Sequence, residues 1–153
     1  MMRREVLAGL TASAGLLGYC ARAASHKSPE VNLTVSTDGD LLAFKPVELT
    51  CPTGAHVHLT FFHSGKYIRQ DHDWVLTMAG VADAVAQAGL AAGESAGYLA
   101  QGDRHVLAAT KMCGKGEYAS VDFTAPAPGD YPFICTYPGH AAFMHGVLHV
   151  TAH

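Results

Sequence analysis

Cys135, His140 and Met144 lie within ten residues of one another in Phe133-Ile134-Cys135-Thr136-Tyr137-Pro138-Gly139-His140-Ala141-Ala142-Phe143-Met144. Four residues separate the first pair and three the second. A thiolate, an imidazole and a thioether at this spacing can meet one ion only if the chain loops back, and Pro138-Gly139 supplies the bend. Alone, Cys135 would read as an inert buried thiol and Pro138-Gly139-His140 as an ordinary turn; the combination is the signal. Soft sulfur donors select copper over harder ions, and the pattern lacks one imidazole. His72, in Gln70-Asp71-His72-Asp73-Trp74-Val75-Leu76, is the best donor of it, because it immediately precedes an apolar run bearing the only Trp. His72, Cys135 and His140 would then form a trigonal set with Met144 as a weak axial ligand, the composition of an electron-transfer copper site. Zinc is the rival ion for Cys-His-His, although a thioether is foreign to its usual ligands. Four ligands leave no position open for a substrate, so catalysis is not expected.

These donors must be fixed by rigid elements. Apolar and polar residues alternate over 31–35, 41–44, 47–50 and 57–61, the period of half-buried strands. Further strands are predicted over 74–77, 105–109, 118–123, 131–135 and 146–151. Turn residues separate them at Asp38-Gly39, Pro52-Thr53-Gly54, Gly114-Lys115-Gly116 and Pro126 through Asp130. Only 81–92 breaks the pattern, being Ala-rich and free of Pro, and it reads as one helix. So many short strands cannot bury their apolar faces in one open sheet. The expected fold is all-β, a two-sheet Greek-key β-sandwich with one inserted short helix, with Trp74 in its core.

With these pieces in place, the chain resembles the cupredoxins of the azurin and auracyanin type. The likeness rests on His72-Asp73-Trp74-Val75-Leu76, on Cys135-Thr136-Tyr137-Pro138-Gly139-His140 and on Met144. It is extended by His63-Ser64-Gly65, by Gly97-Tyr98-Leu99 and by Ala109-Thr110-Lys111-Met112-Cys113-Gly114-Lys115-Gly116-Glu117. The resemblance implies a periplasmic one-electron carrier with a single mononuclear type 1 copper cycling between Cu(II) and Cu(I). It implies a redox partner, a cytochrome c or a periplasmic oxidase or reductase, docking near His140. It also implies that Asp73 accepts N–H bonds from the ligand loop, where family members commonly have Asn. Asp71 stands where azurins have a Gly whose carbonyl approaches the metal, so its backbone oxygen is a candidate weak contact. Arg69-Gln70 is polar where the family tends to be apolar, which implies a partner with an acidic rim. The family disulfide would use a Cys near 51, but the first strand holds no partner for it, so Cys51 and Cys113 are expected as free thiols. A copper-binding protein for sequestration or delivery is the alternative; it would favour an exposed Met and His site on a flexible segment.

The rest of the sequence bounds this reading. The 153 residues, 49% hydrophobic and 15% charged, allow one compact domain, and 10 Lys+Arg against 13 Asp+Glu oppose nucleic-acid binding. Residues 1–23 read as an export signal: Arg3-Arg4-Glu5-Val6-Leu7 resembles the twin-arginine type, with a Sec signal as the alternative, and Ala21-Arg22-Ala23 supplies the cleavage site. Tyr19 occupies the place where a lipobox around Cys20 needs a small residue. Residues 24–30 are polar and expected to be loose, leaving 31–153 as the domain. Loss of Arg3, Arg4, Glu5 and Arg22 would shift the net charge from -3 to -5. A soluble monomer without membrane insertion is expected. His56 and His58 alternate on one strand, and His145, His149 and His153 cluster near the C-terminus; all five read as solvated.

Overall fold

A computed structural model describes residues 27–152. The export signal expected over 1–23, together with His153, lies outside the described residues. The described chain forms β1 (Glu30–Thr37), β2 (Phe44–Lys45), β3 (Glu48–Pro52), β4 (His56–Phe62), β5 (Val75–Thr77), α1 (Ala82–Ala92), β6 (Val106–Ala109), β7 (Tyr118–Thr124), β8 (Gly129–Ile134) and β9 (His145–Thr151). Two sheets face each other, in the orders β2-β1-β4-β7 and β3-β9-β8-β5-β6. Both are mixed, since β1 runs parallel to β4 and β3 parallel to β9. The expected β-sandwich with one inserted helix is present.

Alternation decides which face of each strand is dry. In β4, Val57, Leu59 and Phe61 point inward and are fully buried, while His56, His58, Thr60 and Phe62 line the outer face. Trp74 fills the space between the sheets, its ring 6.0 Å from that of Phe123 and 5.6 Å from that of Phe133. Burying one side chain of this class is worth about 1.5–3 kcal/mol, so these aromatics carry a large share of the interior.

The strand expected over 41–44 is not formed. Only Phe44 and Lys45 pair with β1, as Thr37↔Phe44 and Ser36↔Lys45. Asp38 turns the preceding chain, its N–H donating to the Ala43 carbonyl at 2.9 Å and its carbonyl accepting from Leu41 N–H at 3.2 Å. Asp40 is committed elsewhere: one carboxylate oxygen accepts from the N–H groups of Lys66, Tyr67 and Ile68 at 2.8, 2.8 and 3.1 Å. The alternation at 41–44 is therefore a turn that leaves Leu41 exposed.

The strand directions gather one end of the sandwich. β4 finishes there at Phe62, β8 at Ile134, and β9 begins there at His145. His72 precedes β5 at the same end, held by an isolated bridge to Cys113. Cys51 lies toward the other end, opposite Val150, and Cys51 and Cys113 are free and buried as expected.

Helix α1 packs Val85 against Val75 and Ile134, and Gly89 against the chain beyond the helix. A Cβ on Gly89 would collide with the Tyr98 carbonyl oxygen. Gly89→Ala, which gains about 0.8–1.0 kcal/mol from helix propensity, should instead destabilise by about 1–3 kcal/mol through overpacking. Urea unfolding midpoints measure the sign; a stabilised variant would show that the contact yields.

Candidate metal centre

Three separate segments deliver the donors. Cys135 is the first residue past β8, so its direction is set by the strand. His140 follows Gly139, whose φ of 79° is the left-handed conformation that lets the chain turn back after Pro138. His72 comes from the crossover before β5, fixed by two backbone bonds: its N–H donates to the Cys113 carbonyl at 3.0 Å and its carbonyl accepts from Cys113 N–H at 2.7 Å. The loop after Cys135 is closed in the same manner. Cys135 N–H donates to the Met144 carbonyl at 3.1 Å, and Met144 N–H to the His140 carbonyl at 2.7 Å.

His72 Nδ1 and His140 Nδ1 lie 3.2 Å apart, and Cys135 Sγ lies 3.7 Å from the first and 3.6 Å from the second. The point equidistant from the three atoms is about 2.0 Å from each, the length of a metal–imidazole bond and a little under that of a metal–thiolate bond. All three residues are buried, and Met144 is buried in the same cluster as Cys135. Asp71, by contrast, is exposed at its side chain.

Hydrogen bonds beyond the donors hold them in place. Asp73, fully enclosed, accepts from Thr136 N–H at 2.7 Å through Oδ1 and from the Thr136 hydroxyl through Oδ2, clamping the residue next to Cys135. His63 Nδ1 accepts from Gly65 N–H at 3.2 Å, so Nε2 carries the proton and donates to the Gln70 carbonyl at 3.0 Å. Its ring rests 4.6 Å from that of His72. Tyr137 covers His140 with ring centroids 4.5 Å apart, leaving His140 only 3% exposed, while Phe143 beside it is 68% exposed.

Dry surroundings set the protonation states. Burial, with His63 and His140 nearby, pushes His72 down to about 3, and burial also lowers His140, so both rings present neutral lone pairs. Burial first, and then the Asp73 charge, holds the Cys135 thiol well above its ordinary range. Burial raises the Asp73 carboxyl to about 6 against the opposing pull of the Thr136 bonds.

Sequence reasoning missed Cys113 as the backbone partner of His72 and Tyr137 as the cover on His140. A contact made by carbonyl and amide leaves no trace in residue type. Tyr137 was legible only as an aromatic in the loop.

A two-sheet sandwich with a cysteine sulfur and two imidazoles converging at one buried end has the build of a small metal-binding protein. The chain belongs to the copper-binding proteins of the plastocyanin/azurin family, which match it over residues 30–151. It is 37% identical over 157 residues to auracyanin-A of Chloroflexus aurantiacus, covering 96% of each chain. It is 40% identical over 129 residues to an azurin of Pseudomonas fluorescens biotype A, covering 79% of this chain and 98% of that one. The solved structure of dithionite-reduced auracyanin from Roseiflexus castenholzii matches it with a TM-score of 0.74 at 37% identity, over 78% of this chain and 96% of that one. The donor set, with Met144 buried beside it, fits the family's ion, one mononuclear type 1 copper.

Two outcomes follow from the clamp and the thiol. Asp73→Ala strands a buried Thr136 N–H and should cost about 1–3 kcal/mol of stability and about 10–100-fold in copper affinity, whereas Asp73→Asn keeps an acceptor and most of both. Chemical denaturation and chelator competition read these; equal losses in the two variants would contradict the clamp. Since both imidazoles are neutral and the thiol is protonated, copper loading near pH 7 should release about one proton, and apparent affinity should rise about tenfold per pH unit. An indicator dye in weakly buffered solution counts the proton; its absence would remove Cys135 from the ligand set.

Proposed function

We propose that this protein is an exported one-electron carrier acting in the periplasm, not an enzyme. His72, Cys135 and His140 are the strong ligands, Met144 the weak axial one, and the Asp71 backbone oxygen a weak contact opposite it. The observation that carries the reading is the enclosed donor triangle itself, buried on all sides and fixed by backbone bonds. Copper bound there supplies a one-electron couple between Cu(II) and Cu(I). The chain's part is to keep the donors at one spacing in both states, which the bonds to Cys113, Met144 and Thr136 favour.

Burial also opposes the alternative, sequestration or delivery. A donor of copper to other proteins needs ligands that leave with the ion or open to an acceptor, and all three of these are buried. Redox partners, a cytochrome c or a periplasmic oxidase or reductase, would dock where His140 comes nearest the surface, between exposed Phe143 and the rim of the loop. Arg69, exposed on the flank, favours a partner with an acidic rim. The chain acts as a monomer. No helix among the described residues is long and apolar enough to cross a membrane. Residues 1–23 would direct export; of the segment 24–30 expected to be loose, Glu30 instead begins β1, paired with His56.

The copper-loaded protein should show an intense visible thiolate-to-Cu(II) absorption and take up one electron per copper in a reductive titration. Cys135→Ser should abolish the band. Met144→Gln should retain a copper site with a lower reduction potential, because a harder axial donor favours Cu(II). A colourless Cu(II) form of the unaltered protein would refute the carrier reading, and an unchanged potential in Met144→Gln would remove Met144 from the axial position.

A further inference from the structure

The copper centre uses two imidazoles, and the structure places two others where they can act together. His56 and His58 are two residues apart on β4, so both project from the outer face of their sheet. The antiparallel partner β7 sets Asp122 directly opposite His58. One carboxylate oxygen lies between the rings: Asp122 Oδ1 is hydrogen-bonded to His58 Nδ1 at 2.8 Å and stands 4.0 Å from His56 Nε2, short of a bond. On the other side, the parallel register of β1 places Glu30 beside His56 on the same face.

The chemistry of this group is that of a chelate. Two imidazoles and a carboxylate are the nitrogen and oxygen donors that Zn²⁺ and Cu²⁺ prefer, and no soft sulfur is among them. The side chains are 52%, 45% and 58% exposed for His56, His58 and Asp122, so the rings can turn toward a shared ion without disturbing the core. Elsewhere the surface has His–carboxylate pairs with a single imidazole, such as His149 Nδ1 with Asp130 Oδ1 at 2.7 Å. Those pairs hold one ring each, one imidazole short of a chelate with two rings. β4 runs from His56 toward Phe62 at the copper end, so the two sites are separated by the length of the strand.

We infer that His56, His58 and Asp122 form a second metal site, a solvent-exposed chelate for one borderline divalent cation, Zn²⁺ or Cu²⁺. Water completes the coordination, with Glu30 an additional carboxylate beside His56 in the strand register. The imidazoles must be neutral to bind, so acid releases this ion. The site stands independently of the electron-carrier reading, because none of its residues takes part in the copper centre.

Zn²⁺ titrated calorimetrically into the copper-loaded protein tests the site, with the copper content of the product measured in parallel. One Zn²⁺ per chain should bind while copper stays at its starting content. His58→Gln and Asp122→Asn should each weaken that binding by about tenfold or more. Both positions are exposed, and retained copper content reports that the variants are folded. His149→Gln should leave the zinc binding unchanged. Zinc that binds only by displacing copper, binding indifferent to His58→Gln and Asp122→Asn, or equal loss in His149→Gln would each overturn the assignment.

Discussion

Three lone-pair donors crowded within 3.2–3.7 Å of one another at a dry end of the sandwich are the constraint from which the rest of the structure follows. Left to themselves, such groups would separate and seek water, since a buried polar atom without a partner costs free energy. The fold prevents this through main-chain bonds rather than through side-chain packing alone. His72 is tied on both its amide and its carbonyl to Cys113, and Cys135 is tied through its amide to Met144. These bonds fix where each donor's Cα sits, and burial leaves its side chain little room to turn away. The spacing of the donors is therefore held by the main chain and not by side-chain contacts alone.

The same dryness governs charge. His72 and His140 stay neutral because an imidazolium would lose its hydration there, and the Cys135 thiol keeps its proton for the same reason. Asp73 is the exception that the site tolerates: it is raised to about 6 by burial yet remains mostly ionised at neutral pH, stabilised by two bonds from Thr136. An ionised carboxylate so near the thiol favours the more positive state of a bound metal. On the electron-carrier reading, this residue pulls the reduction potential downward relative to an Asn in its place.

The convergence of His72, Cys135 and His140 was legible in the sequence because Cys135 and His140 are local, and because a single His stands just ahead of Trp74 and β5. The sandwich was legible from the two-residue period, which marks Val57, Leu59 and Phe61 as inward whatever their strand pairs with. That period failed at 41–44, where Asp38 and Asp40 use their hydrogen bonds for turns. Pairing was harder to see. The link of His58 to Asp122 depends on the register between β4 and β7, strands 64 positions apart at these residues, and nothing near either residue encodes it. Cys113 lay hidden for a different reason: its role is that of a backbone, while its side chain suggested a disulfide question.

The inserted helix shows how a departure from the all-β pattern serves the site. α1 shares a buried cluster with Val75 of β5, Ile134 of β8 and, at its edge, Ala141 of the ligand loop. At Gly89 the helix comes close enough to the Tyr98 carbonyl that no side chain fits between them. That contact fixes the turn after the helix, and Tyr98 there meets Tyr137 edge-on at 5.4 Å. Tyr137 in turn lies over His140. A continuous series of contacts thus runs from the helix through two tyrosines to a ligand ring. Removing the helix would leave the sheets able to pair, but it would free the cover that keeps water from His140. The helix is best understood as a wall of the metal centre, built where β5 and β8 alone leave one side of the loop open.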